Sequence, residues 1–126
     1  MRKAELRTKE EYLFGYCHEY AADLKENNDA LTIECIVIPD MHTLTHAYCV
    51  NEAGSFIDVR GTFSDKEEFL SIFPVANDMK KREKFCETHK FGDIPSFKDF
   101  LHNFFKDGVS RYDEETDEYY NIPFVF

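Results

Sequence analysis

Three short stretches of this sequence carry side chains suited to nucleophilic thiol chemistry: a cysteine, a histidine and a carboxylate. In Gly15-Tyr16-Cys17-His18-Glu19-Tyr20-Ala21-Ala22 a cysteine follows a glycine and enters an apolar helical repeat. A thiol at a helix N-terminus feels the positive end of the dipole, which favours the thiolate and so the nucleophile. Thr45-His46-Ala47-Tyr48-Cys49-Val50 and Ser55-Phe56-Ile57-Asp58-Val59-Arg60-Gly61 both read as strands, joined through Asn51-Glu52-Ala53-Gly54. A hairpin that pairs Val50 with Gly54 sets His46 directly across from Asp58, on one face of the sheet. Directly opposed Cβ atoms lie about 4.5–5.5 Å apart, within reach of an imidazole–carboxylate hydrogen bond. A register shifted by one residue would separate them. The opposite face would carry Ala47, Cys49, Ile57 and Val59, an apolar set suited to a core.

The elements that must hold these residues follow from capping and periodicity. Thr8-Lys9-Glu10-Glu11 is a capping-box pattern that starts a helix, with Leu13, Cys17, Tyr20, Ala21 and Leu24 recurring at helical spacing. Gly15 interrupts this run and splits it into a short helix, a turn and a second helix that begins near Cys17. Residues 31–38 are rich in β-branched side chains and end at Pro39, a strand; 45–50 and 55–59 are two more, forming an antiparallel sheet. Ser64-Asp65-Lys66-Glu67 is a second capping box, and residues 77–90 read as a charged helix. Ser96 caps a third, with Phe97, Phe100, Leu101, Phe104 and Phe105 as an apolar stripe for the core. Residues 107–118, with the acidic run 113–118, read as a solvated loop or flexible segment. The apolar end, 119–126, returns as an edge strand or docks on the body. The expected fold is a single α+β domain: an N-terminal helix packed on a small antiparallel sheet, then covering helices.

A Gly-x-Cys at a helix start, then His on one strand and Asp on the next, resembles the papain-like and transglutaminase-like cysteine enzymes. The resemblance covers residues 15–61, about half the chain. It implies Cys17 as nucleophile, His46 as general base and acid, and Asp58 as the carboxylate that orients the imidazole. It also implies acyl transfer on amides: peptide or isopeptide hydrolysis, deamidation or transamidation, with a protein or peptide as substrate and no cofactor. Many such enzymes complete the oxyanion hole with a Gln or Asn before the nucleophile, and residues 1–16 contain neither. The Cys17 N–H, alone or with Tyr12 or Tyr16, would have to serve.

Composition narrows the alternatives. Acidic residues number 25 against 15 basic ones, a net charge of −10, which argues against a nucleic acid partner, since phosphate binding needs a Lys/Arg surface. No apolar run approaches a membrane span, and the start of the chain lacks a leader pattern, so a cytoplasmic protein with reduced thiols is expected. Cys86-Glu87-Thr88-His89 is half of a zinc pattern with no second half, and no metal site is expected. Each candidate also has a plainer role. Cys17 can be a buried core thiol, like Cys35 and Cys49; His46 a satisfied strand histidine; Asp58 a partner for Arg60. Such a chain would be a small acidic binding or inhibitor protein, or a thiol-enzyme fold kept for binding alone.

Overall fold

The computed structural model describes residues 7–126; the start of the chain, where a leader pattern was sought, lies outside the described residues. The Thr8 side chain accepts the Glu11 N–H and the Glu11 carboxylate accepts the Thr8 N–H, so the capping box starts α1 (Lys9–Leu13) as expected. Gly15 then takes φ +143°, a conformation only glycine adopts without strain, and the chain re-enters helix at α2 (Cys17–Asn27). Strands β1 (Thr32–Ile38) and β2 (Thr43–Val50) follow, linked by a short 3-10 turn at Pro39–Met41. After them come β3 (Phe56–Asp58), β4 (Gly61–Phe63), α3 (Lys66–Leu70) and α4 (Met79–Phe85). The chain closes with β5 (Glu87–Phe91), α5 (Ile94–Phe104), β6 (Val109–Asp113) and β7 (Glu118–Ile122).

The fold is α+β, with one five-stranded antiparallel sheet in the order β4-β3-β2-β1-β5 and a separate β6-β7 hairpin. Helices cover both faces of the main sheet rather than one. Against the first face α2 and α5 pack Cys17, Ala21, Phe97, Leu101 and Phe105 onto Ile33, Cys35, Val37, Ala47 and Cys49. Fully burying a side chain such as Phe97 or Leu101 contributes about 1.5–3 kcal/mol. Against the second face α3 and the residues after it pack Phe69, Leu70, Phe73 and Ala76 onto Ile36 and Tyr48, with Leu13 beside them. Val59, expected with Ala47 and Cys49, packs in this second cluster instead, because β3 ends at Asp58 and the chain turns.

Other departures have physical causes. The 77–90 helix stops at Phe85, and 87–91 becomes the edge strand β5 beside β1. An edge strand needs no apolar face, so its polar residues hid it. Asp65, not Ser64, caps α3, and Asp93, not Ser96, caps α5; each carboxylate accepts a backbone N–H three residues on. The stretch 107–118, expected as an acidic loop, is strand β6 plus the turn of a hairpin. That turn is held by the Tyr112 hydroxyl donating to Asp117 and by the Glu115 N–H donating to Asp113. The segment 119–126 does both things expected of it: its first part pairs as β7, while Phe124 and Phe126 dock on the first cluster.

One irregularity lies in the middle of the sheet. Ile36 pairs with His46 but Val37 pairs with Leu44, so Thr45 is an unpaired bulge in β2.

Candidate active site

His46 stands on β2 with its ring stacked 4.2 Å from Phe73 and flanked by Tyr48 and Phe69 at 5.6 Å each. Its Nε2 lies 2.9 Å from Asp58 Oδ2, on the adjacent strand and the same face. The register differs from the expected one. Five residues, 51–55, make the connection, so Val50 pairs with Phe56 and Cys49 with Ile57. Continued by one residue, that ladder sets Asp58 beside Tyr48, two positions along from His46 rather than opposite it. A slip of two residues preserves the face, and the side chains still meet.

Asp58 also fulfils the plainer expectation. Arg60 donates its backbone N–H to Oδ1 at 2.8 Å and its Nη2 to Oδ2 at 2.6 Å, and its guanidinium reaches the Phe69 carbonyl at 2.9 Å. Burial pushes the carboxyl pKa up, but hydrogen bonds from His46 and Arg60 outweigh it and hold Asp58 below its ordinary value. An ionised carboxylate only accepts, so His46 carries its proton on Nε2 and a lone pair on Nδ1. That Nδ1 is buried and has no hydrogen-bond partner among the described residues. Burial drives the imidazole pKa below its usual value, against the pull of Asp58, so the ring is neutral at rest.

Cys17 is the first residue of α2 and 4% exposed. Its sulfur accepts the Ala47 N–H at 3.3 Å, from the residue that follows His46 in the chain. This contact is possible because β3 pairs with β2 only at Cys49 and Val50, which leaves the edge of β2 open at Ala47. The α1–α2 junction wraps that edge: Leu13 lies in the second cluster and Cys17 in the first. Burial pushes the Cys17 thiol up to about 11, opposite to the shift expected from the helix dipole alone, while the N–H groups of Ala47, His18 and Cys17 itself pull it down. Burial raises the other two core thiols as well, Cys49 to about 12 and Cys35 further. The structure thus joins Asp58 to His46, and sets Cys17 against the backbone beside His46 without a hydrogen bond to the ring.

Cys17 lines a cleft of about 660 Å³. One wall is the α1–α2 junction with Phe14, Gly15 and His18; others are Thr43–Thr45 of β2, Phe73–Val75, and the start of the β6-β7 hairpin. Gly108 opens that hairpin at φ +94°, where a Cβ would stand 2.6 Å from the Ile122 carbonyl oxygen. From its place beside Cys17 in the helix, His18 is expected to project away with a minor role or none, yet it is buried in this wall. Tyr12 and Tyr16, named as oxyanion donors, do not line the cleft; the N–H groups around the sulfur are backbone ones. Among the described residues no group of three His, Cys, Asp or Glu side chains is gathered to hold a metal. No helix there is long and apolar enough to cross a membrane.

Compared with known proteins, the chain finds no match: no protein family, no curated protein and no solved structure aligns with it.

Proposed function

We propose that this chain is a thiol hydrolase or acyltransferase acting on an amide of a peptide or protein, with the catalytic layout of the papain-like and transglutaminase-like enzymes. One arrangement carries the reading. A cleft-lining sulfur that accepts the Ala47 N–H sits at the open edge of β2, and the residue before Ala47 is a buried histidine anchored by a carboxylate through Nε2 and bare at Nδ1. A thiol pushed up to about 11 and an imidazole held low make a neutral resting pair, so the proton leaves as the sulfur attacks. The Cys17 sulfur bonds to the substrate carbonyl carbon while its proton passes to His46 Nδ1. The tetrahedral oxygen takes hydrogen bonds from backbone N–H groups at the start of α2. The C–N bond then breaks as His46 returns the proton to the leaving amine, and water or a second amine releases the acyl group from sulfur. Asp58 stabilises the imidazolium in between, and Arg60 fixes Asp58. A cytoplasmic site of action, with no cofactor, metal or nucleic acid, belongs to the same proposal.

The test is acyl capture. Incubated with p-nitrophenyl acetate, the chain should gain one acetyl group on Cys17, located by peptide mass spectrometry, and release nitrophenolate. His46→Ala should slow the step about 10²-fold or more, the usual worth of a positioned base. No adduct at Cys17, or an unchanged rate in His46→Ala, overturns the proposal.

A second reading has one observation in its favour: the burial that raises the Cys17 thiol. It makes the chain an acidic binding protein on the same scaffold, and it predicts no acyl adduct.

A further inference from the structure

The cleft beside Cys17 holds a cation without a partner. Arg111, on β6, lines its wall half-buried, and among the described residues its guanidinium makes no ion pair, hydrogen bond or stacking contact. By contrast Arg60 is tied to Asp58, and Arg82 to Glu67 and the Ala76 carbonyl. The chain is rich in carboxylates, yet among the described residues none closes on Arg111. The other charged group of the lining, Asp107, is exposed to water and does not pair with it. His18, in the same wall, is held neutral, chiefly by burial and in part by the Arg111 charge itself. A guanidinium on a half-buried wall is weakly screened and offers a planar fork of donors matched to two carboxylate oxygens.

We infer that Arg111 is the specificity-determining residue of the cleft, and that the substrate is an amide whose acyl group carries a carboxylate. This deepens the thiol-enzyme reading and rests on it. Apolar residues such as Leu13, Phe73 and Phe105 line much of the cleft, so they would bury the carbon chain between the scissile carbonyl and the charged end.

Alkylation tests it without a known substrate. Iodoacetate and iodoacetamide differ only in a carboxylate against a carboxamide; in each case sulfur displaces iodide, an S–C bond replaces C–I, and the thiol proton is lost to solvent. The measured quantity is the ratio of the iodoacetate to the iodoacetamide rate at Cys17, divided by the same ratio in the urea-unfolded chain. An unpaired cation facing the cleft should raise it about tenfold, the lower range of electrostatic enrichment in charged clefts. Arg111→Gln should bring it to one, and Arg111→Lys should keep much of it. A ratio of one in the parent chain, or an elevated ratio that survives Arg111→Gln, overturns the carboxylate assignment and leaves the thiol-enzyme reading standing. If neither reagent modifies Cys17 in the folded chain, both fall together.

Discussion

The two faces of the central sheet are packed by different chemistry. On the first, Cys17, Cys35 and Cys49 lie among aliphatic and phenylalanine side chains, and burial raises all three thiols. On the second, aromatic rings surround a polar chain that runs from His46 through Asp58 to Arg60. The difference teaches that one sheet divides its side-chain chemistry, thiols on one face and a hydrogen-bonded polar chain on the other, and that at the open edge of β2 the Cys17 sulfur of the first takes the N–H of Ala47, the residue after His46 of the second. Burial disfavours the charged form of the thiol and of the imidazole alike.

The sharpest way to break this contrast is Asp58→Ala. It strips the partner from a buried imidazole and from Arg60, and removing one member of a buried pair costs about 3–5 kcal/mol. In a domain of this size thermal melting should fall by more than about ten degrees. A melt within two or three degrees of the parent would mean that the polar chain contributes little to the second face.

Next in size is the pH response at the rim of the first face. Burial lowers His18 from 6.5 to about 4, and its ring lies against Phe124 and Phe126. A lowered histidine binds more protons when unfolded. Its contribution is therefore complete above pH 6.5 and lost as the pH falls towards 4, by up to about 3 kcal/mol. His46 adds a loss of the same sign below 6.5, so the share of His18 is the difference between the parent and His18→Gln in urea melts at pH 7 and 4.5. Asp58, held low, stabilises above its ordinary 3.8 and loses that only at more acid pH. An identical pH slope in His18→Gln would remove His18 from the account.

Smallest are two serine replacements. At Cys49 the new hydroxyl sits fully buried with the Ala21 carbonyl as its one partner, a cost of about 1–2 kcal/mol by thermal melting. At Cys17 the Ala47 N–H already donates to the position, so Cys17→Ser should cost less than about 1 kcal/mol while abolishing acyl capture. A Cys17→Ser chain that melts lower than Cys49→Ser would mark Cys17 as a packing residue like the others on its face.

Much of this division was legible in the residues themselves. Alternation along 45–50 separated His46 from Ala47 and Cys49, and Gly15 marked the break that lets α2 begin at Cys17. What stayed hidden depended on partners far along the chain. The polar run 87–91 becomes a strand only because β1 offers it an edge. The His46–Asp58 register hung on a connection longer by two residues than a tight hairpin. The direction of the Cys17 shift was misjudged because local position names the dipole, whereas burial comes from α5 and β1, assembled from distant sequence. Arg111 showed no signal at all: an unpaired cation is recognised only once the rest of the charges have found their places.

Thr45 has a consequence of another kind. Were its codon lost, Leu44 would still meet Val37, His46 would still meet Ile36, and no side chain would change face. A one-residue deletion inside a central strand ordinarily turns half of it inside out. Here the sheet carries a spare position, and it lies in the wall of the cleft. Loss of a residue at that point would reshape the cleft wall while the strand stays in frame.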